Sequence, residues 1–563
     1  MPHRNSDSQS TADAWAPLRR RWPLFAASTA GLVLHQVAEA LVPVVIGIVI
    51  DRAITPGDLG ALVRWLCGLA GVFVVLALSW RFGRSAGARV AEAAGFELRG
   101  SLIRRVLDPR GMQRPRRPGE LVTIAGGDVD RVVGVVWVIG GAVAKGAAVA
   151  TVAVSLLLIS VPLGIAVLVA TPILLVGMHL IAGPLERRTD AEQESIAHAG
   201  AVAGDLLTGL RTLKGLGADD AAVHRFAVAN HESWRHARRA ADLVGAYVGV
   251  SAVLSGLFLA WLAWFAGGQA AAGSITIGEL VAVLGLAQFL QWPMSGLAFV
   301  GAELATARAS AVRVATVLQS TPVWDQLTEP TPPGGLELRL LRGTTFGPLD
   351  LSVAPGTVVA LCVESPESAT ELVDVLARRR PATGGSMLIG GVEISGPETG
   401  STAPVVVAPP HHAAILAGTL ADNVLPACAV NDPRLAAVGA AAAFDDVIRD
   451  ADGGWSAQLG ERGLTLSGGQ RQRLTLARAL ATEAPILVLH DPTSAVDSVT
   501  EFTIAAGVRA FRGQGATLLV TSSPALLAVA DQVLVLRDGR VTDNGTHHDL
   551  MARSEQYRGR VAG

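Results

Sequence analysis

The sequence predicts a multidomain chain: an all-α half that crosses a membrane six times, then an α/β half built around a phosphate site. Three observations carry that prediction. Long apolar runs fill the chain as far as Phe299. Short apolar segments divided by turn residues take over from Leu336. Within this second half stands Leu466-Ser467-Gly468-Gly469-Gln470, two glycines between a serine and a helix-forming run.

Composition agrees. Of 563 residues, 50% are hydrophobic and 17% charged, and the mean hydropathy is +0.43, as in a membrane protein with a soluble part. That length exceeds one core, so at least two domains are expected. The net charge of −2 gives no basic footprint, and no nucleic-acid partner is expected. Cys67, Cys362 and Cys428 are expected to be small buried residues and not a disulfide or metal set. The polar residues 1–14 suggest a disordered tail, and no signal-peptide cleavage site is expected after them.

The apolar runs place spans at 22–50, 61–82, 132–159, 161–182, 246–271 and 278–299, each close to the ~20 residues that a bilayer core requires. Short links join the first span to the second, the third to the fourth and the fifth to the sixth. Long polar segments, 83–131 and 183–245, separate the pairs and are expected to continue the spans as helices. They carry Arg84, Arg99, Arg104, Arg105, Arg116, Arg187, Arg188, Arg211 and Arg238 among others, and Arg19, Arg20 and Arg21 precede the first span. The positive-inside rule therefore places both termini and both long segments in the cytoplasm. The expected layout is a tail over 1–21, a membrane domain over 22–320, a Pro- and Gly-bearing linker over 321–335 and an α/β domain over 336–563.

Four polar groups fall inside the spans: His35 and Glu39 in the first, Lys145 in the third and His179 in the fourth. A charge at mid-bilayer costs about 2.5–3.5 kcal/mol on insertion scales, so such groups face a cavity or a partner. His35 and Glu39, four apart, share a helix face. All four are candidates for a substrate cavity. The alternative is that they snorkel at the interface or pair structurally.

Gly468 and Gly469 let backbone N–H groups approach an anion closely, and the helix behind them adds its dipole. Ser467 contributes a hydroxyl and Gln470 an amide. A serine-capped helix after a glycine turn has the same pattern. Gly460-Glu461-Arg462-Gly463 before it and Arg471-Gln472-Arg473 after it favour the phosphate site. With these flanks the run resembles the signature motif of ATP-binding-cassette (ABC) transporters. The resemblance extends over nearly the whole chain. Pro118-Gly119-Glu120-Leu121 and Asp128-Val129-Asp130 resemble the first intracellular loop of ABC exporters, and residues 209–218 with 223–226 the second. In that family short coupling helices in these loops dock on the ATPase domains.

The resemblance implies a P-loop-type ABC nucleotide-binding domain working with ATP and Mg2+. The P-loop pattern is Gly-x-x-x-x-Gly-Lys-Ser/Thr between a strand and a helix: the glycines curl round the phosphates, the lysine neutralises them and the hydroxyl holds magnesium. Here the strand is expected over 358–362 and the helix from near Thr370. The loop is Val363-Glu364-Ser365-Pro366-Glu367-Ser368-Ala369-Thr370. Val363 and Ser368 replace the glycines, Ala369 replaces the lysine, and only Thr370 fits. Glu364 and Glu367 put negative charge where a polyphosphate would sit. His490 stands at the magnesium-binding Asp position and Asp491 at the general-base Glu position. His411 stands for the γ-phosphate-sensing Gln, Ser522 for the switch His and Thr345 for the adenine-stacking aromatic. The D-loop residues Ser494, Ala495 and Asp497 follow the family pattern, as does the signature.

In this family two ATPase domains pair head to tail, and each ATP lies between one P-loop and the other domain's signature. The resemblance therefore implies the degenerate half of a heterodimer: Ser467, Gly468, Gly469 and Gln470 complete an active site on a second half-transporter with an intact P-loop. Its substrate is a small molecule, lipid or peptide of unknown identity. Two other readings remain open, a catalytically inactive regulatory or scaffold protein and a siderophore importer using the exporter fold. The loop 363–370 argues against a stand-alone ATPase.

Overall fold

In the computed structural model the chain divides into two compact units, residues 1–105 with 116–319 and residues 106–115 with 320–563. The structure describes residues 11–325, 327, 334–394, 396–397, 404–411, 413–426, 428–460, 463, 465–537 and 539–562, with helical side chains at 174–175, 178–190, 211 and 298 left aside.

The first unit is a bundle of long helices. A short amphipathic helix α1 (Ala12–Arg20) leads into α2 (Trp22–Val49), followed by α3 (Leu59–Val106), α4 (Pro118–Thr123), α5 (Val129–Ile159), α6 (Val161–Thr208), α7 (Leu210–Leu216), α8 (Asp219–Ala271), α9 (Ile277–Ala298) and α10 (Val300–Leu318). At 1.5 Å per residue the longest reach roughly 70–80 Å, far more than a bilayer core needs. The polar segments between spans thus continue the spans as helix for most of their length, with breaks at 107–117, 209 and 217–218.

Five helical runs among the described residues are long and apolar enough to cross a membrane: Trp22–Ile54, Leu59–Val106, Pro118–Ile159, Asp219–Ala271 and Ile277–Leu318. For the fourth of the six expected spans, the described apolar part is the shorter segment Val161–Ile173. The side chains that would complete it lie outside the described residues, with those of His179, Arg187, Arg188 and Arg211.

Small residues let these helices approach. A Cβ at Gly47 would meet the carbonyl oxygen of Gly278 at 2.5 Å, so α2 and α9 cross backbone to backbone. Leu156, Leu163, Leu262, Leu286 and Leu290 are fully buried in the core that α5, α6, α8 and α9 share. Cys67 lies exposed on α3, which corrects its expected burial, whereas Cys362 is buried. Asp128, 2% exposed, is held by Ser310 at 3.0 Å, by Arg313 at 2.7 Å and by Arg131 at 3.3 Å.

The second unit is α/β. Six strands form the main sheet in the order β12-β11-β3-β10-β9-β6, parallel except for the edge strand β12. They are β3 (Val358–Val363), β6 (Val406–Val407), β9 (Ile486–His490), β10 (Ala516–Val520), β11 (Gln532–Arg537) and β12 (Arg540–Gly545). Every residue of β3 and β10 is buried, the continuous apolar run expected of a parallel strand covered on both faces. A second, antiparallel sheet, β2-β1-β4-β5, consists of β1 (Leu336–Arg342), β2 (Leu349–Val353), β4 (Gly384–Ile389) and β5 (Val392–Glu393).

Residues 106–115 belong to this unit through a backbone strap. Asp108 closes a turn by accepting from Arg110 N at 2.9 Å, and Gly111 takes φ 67°. The Arg110 carbonyl accepts from Val323 N at 3.0 Å and Trp324 N at 3.3 Å, and Gln113 N donates to Thr321 O at 3.0 Å. The Trp324 indole N–H then donates to Arg378 O at 3.1 Å. Residues 321–324, expected within a linker, are therefore tied down.

Candidate functional site

The phosphate loop differs from its expected geometry. The helix does not start near Thr370. It starts at Pro366, as α11 (Pro366–Leu376), leaving only Glu364 and Ser365 after β3. The cause is local. No glycine stands between Val363 and Thr370, Ser365 caps the helix by accepting from Ser368 N at 3.3 Å, and Pro366 sets the first helical φ.

The loop's polar groups are spent within the chain. Ser368, 4% exposed, donates its hydroxyl to Thr345 O at 2.7 Å. Ala369 is 6% exposed and packs in the apolar core. Thr370 back-bonds to Pro366 O at 2.9 Å. Glu364 pairs with Arg537 at 3.0 Å, while Arg560 of the C-terminal helix donates to Glu364 O at 2.6 Å and Val363 O at 3.1 Å. Glu367 is exposed.

One step further along α11, Glu371 is 4% exposed. Its carboxylate accepts from Thr344 N at 2.8 Å and Thr345 N at 2.6 Å, and from both threonine hydroxyls. Arg380 stands 3.2 Å away. Burial by itself raises the pKa of this carboxyl, but the Thr344 and Thr345 hydrogen bonds outweigh it and hold the pKa at about 2. The Thr344–Thr345 turn is thus bound to an acidic side chain.

His490 ends β9 and its ring centre lies 5.4 Å from that of His411. Burial lowers the His490 pKa; Asp491 opposes this, His411 adds to it and Asp374 opposes it. His490 is therefore neutral at neutral pH. Asp491 takes φ 40° and places a carboxylate oxygen 3.8 Å from His490. Ser522 is exposed. Mg2+ takes oxygen ligands, so two imidazoles do not replace the hard donors the site requires.

The signature side is different. Ser467 caps α15 (Gly468–Ala481), accepting from Gln470 N at 3.2 Å, while the Gln470 side-chain oxygen accepts from Ser467 N at 2.8 Å. This capping box engages both side chains as acceptors, so the Ser467 hydroxyl proton and the Gln470 amide N–H groups remain as donors beside the backbone of Gly468 and Gly469. The serine cap is thus observed, and it leaves these donors unspent. A Cβ at Gly468 would meet only the Ala495 methyl, at 3.9 Å, whereas one at Gly469 would lie 2.7 Å from Ala495 O. Gly468 faces open space and Gly469 packs against the D-loop, where Asp497 caps α16 (Ser498–Phe511). His411 and Gly468 line one cleft of about 510 Å3 with Ser494 and Ala495.

The sequence reading missed Gln472, which fixes this cleft. Its amide nitrogen donates to Asp491 O at 2.8 Å and Ser494 Oγ at 3.0 Å, and its oxygen accepts from Ala495 N at 2.8 Å. Glu371, Arg537 and Arg560 were missed as well. Only Glu371, an acid directly after Thr370, carried a local signal.

In the first unit His35 donates from Nδ1 to Leu76 O at 2.9 Å, lies against Trp80 and stands 3.8 Å from Glu39. Lys145 lines a separate groove with Arg131, Trp137 and Glu303. Among the described residues Glu39 and Lys145 form no ion pair with each other.

Fold and site together define a helical membrane unit fused to an ABC-type α/β unit. The ABC transporter transmembrane region family matches residues 25–294 and the ABC transporter family matches residues 346–494. The chain belongs to the ABC transporters, a multi-pass membrane protein with a transmembrane region and an ATPase region in one polypeptide. ABC ATPase domains as a class bind ATP with Mg2+. The chain is 28% identical over 548 residues to a multidrug efflux ATP-binding/permease protein of Mycobacterium bovis, covering 95% of this chain and 45% of that protein. It thus spans less than half of that relative. It is 27% identical to the multidrug resistance-like ATP-binding protein MdlA of Escherichia coli, covering 96% of this chain and 94% of the relative. An ATP-dependent lipid A-core flippase of Xanthomonas euvesicatoria is 27% identical over 69% of this chain and 68% of its own length. Among solved structures, a bacterial Atm1-family ABC exporter with ATP bound shares the fold at TM-score 0.74 and 21% identity, covering 97% of this chain and 99% of that one.

Proposed function

We propose that the chain is the degenerate-site subunit of a heterodimeric, ATP-driven exporter in the plasma membrane, with both termini and the ATPase domain in the cytoplasm. Its partner is a second half-transporter with an intact P-loop. ATP and Mg2+ are held by that P-loop, and Ser467, Gly468, Gly469 and Gln470 of this chain close the site in trans. The substrate is a small molecule, lipid or peptide; multidrug efflux and lipid flipping are the activities named for its relatives.

The observation that carries this reading is an asymmetry. The chain's own P-loop side is filled by Glu371, Arg537 and Arg560, while the signature keeps its donors. Oriented N–H donors aimed at developing phosphate charge are worth several kcal/mol in catalysis.

The test is ATP turnover of the reconstituted pair. Gly468→Asp, made in this chain only, puts a like charge beside the phosphate and removes most of the activity. The matching change in the partner's signature, which faces the closed loop, has a small effect. The opposite pattern overturns the assignment.

A further inference from the structure

Lys145 points to the chemistry of the cargo. It lies on α5 midway along the expected span 132–159, about 21 Å before Ile159 along the helix axis. An ammonium there costs about 2.5–3.5 kcal/mol on insertion scales, and such groups mark functional sites. Among the described residues Lys145 has no ion-pair partner. Its side chain lies across Gly296, where a Cβ would collide with the Lys145 Nζ.

Arg131, Gly134, Val138 and Lys145 recur at helical spacing on one face of α5, which lines a groove of about 570 Å3 with Trp137 and Glu303. Arg84 stacks over Trp137 at 4.4 Å and adds a third cation beside the groove. The nearest acids do not balance these charges. Asp128 is shared by Arg131, Arg313 and Ser310, and Glu303 is a single exposed carboxylate on α10, so Lys145 and Arg84 keep no ion-pair partner among the described residues. The groove therefore combines an apolar floor, an aromatic wall and a surplus of positive charge. Its volume suits one drug-sized molecule and is small for a two-chain lipid.

We propose that this groove binds a compact anionic amphiphile, with its acid group at Lys145 and its apolar body along Val138 and Trp137. The proposal rests on the reading of this unit as the transport half of a transporter, and it names the class of cargo. Zwitterionic and cationic compounds of the same shape bind more weakly, because they leave the ammonium unmatched.

The test uses the full-length chain in nanodiscs of zwitterionic lipid, titrated with the fluorescent acid dansyl-aminoundecanoate and with its neutral methyl ester. The acid binds about tenfold tighter than the ester, as one charge-assisted contact implies. Lys145→Met brings the acid to the ester's affinity, while Lys145→Arg keeps the preference. Lys145→Met removes a charge that the bilayer disfavours, so the variant inserts normally. Gly296→Ala retains every charge but displaces the lysine, and it weakens the acid alone. Equal affinity of acid and ester, or an unchanged acid affinity in Lys145→Met, overturns the proposal. So does displacement of the acid by an equimolar two-chain anionic phospholipid, which would give the groove to bilayer lipid. The titration needs neither ATP nor a partner subunit, so its failure is distinct from a failure of the heterodimer reading, which is scored by ATP turnover.

Discussion

Glu371 binds Thr345 through both the backbone N–H and the hydroxyl, placing a buried carboxylate where the sequence pattern reserves room for a nucleotide. Its folded pKa, about 2, lies below the ordinary glutamate value, so the stabilisation is fully present above about pH 4.5 and fades as pH falls toward 2. Glu371→Gln removes the charge and, with it, about 1.5–3 kcal/mol at neutral pH, the range for hydrogen bonds to charged groups. Thermal unfolding of the two proteins at pH 7 and pH 3 checks this: the gap narrows in acid.

Restoring the missing lysine does not restore the site. Ala369 is buried against the apolar core, so Ala369→Lys forces an ammonium into it and costs about 1–3 kcal/mol. Titration with a fluorescent ATP analogue finds no gain in affinity, because Ser365 still caps the helix and Glu371 still holds Thr344 and Thr345. Tight, magnesium-dependent binding by this single variant would show that the loop opens readily.

The adjacent signature glycines separate two roles. Gly468→Ala meets only a methyl at van der Waals distance and leaves the melting temperature unchanged. Gly469→Ala drives a methyl against Ala495 O and costs about 1–3 kcal/mol. Calorimetry of the two variants reads the difference directly, and equal melting temperatures contradict the packing described for Gly469.

Asp128 depends on Arg313. Removing the guanidinium by Arg313→Met leaves a carboxylate only 2% exposed and costs about 3 kcal/mol, the low end of the range because Arg313 is itself partly exposed. Adding Asp128→Asn recovers much of the loss. A double variant no more stable than Arg313→Met alone means that the remaining Arg131 contact already satisfies Asp128.

The two-unit organisation and the long helices were legible because hydrophobic period and length are properties of contiguous sequence. The capped helix start was legible for the same reason: Ser467 to Gln470 is one turn of chain. The fate of the phosphate loop was only half legible. The lost glycines and lysine are visible position by position, but the helix start at Pro366 depends on how Ser365 competes as a cap. Arg537 and Arg560 come from strands and helices almost two hundred residues downstream. Gln472 was hidden in plain view, since a glutamine between two arginines has no pattern until Asp491 and Ala495 are brought to it. Cys67 shows the converse error: an apolar neighbourhood in sequence predicts burial, whereas a membrane helix turns such a face outward.

The strap between Arg110 and residues 323–324 has a consequence for synthesis. The ribosome makes residues 106–115 roughly 200 residues before their hydrogen-bonding partners, and at about 5–20 residues per second that interval is on the order of 10–40 s. During it the Arg110 carbonyl and the Gln113 N–H wait beyond the end of a long helix for their partners in 321–324. A soluble fragment begun at Ser320 leaves Val323 and Trp324 without the Arg110 carbonyl as acceptor, and the Thr321 carbonyl without the Gln113 N–H.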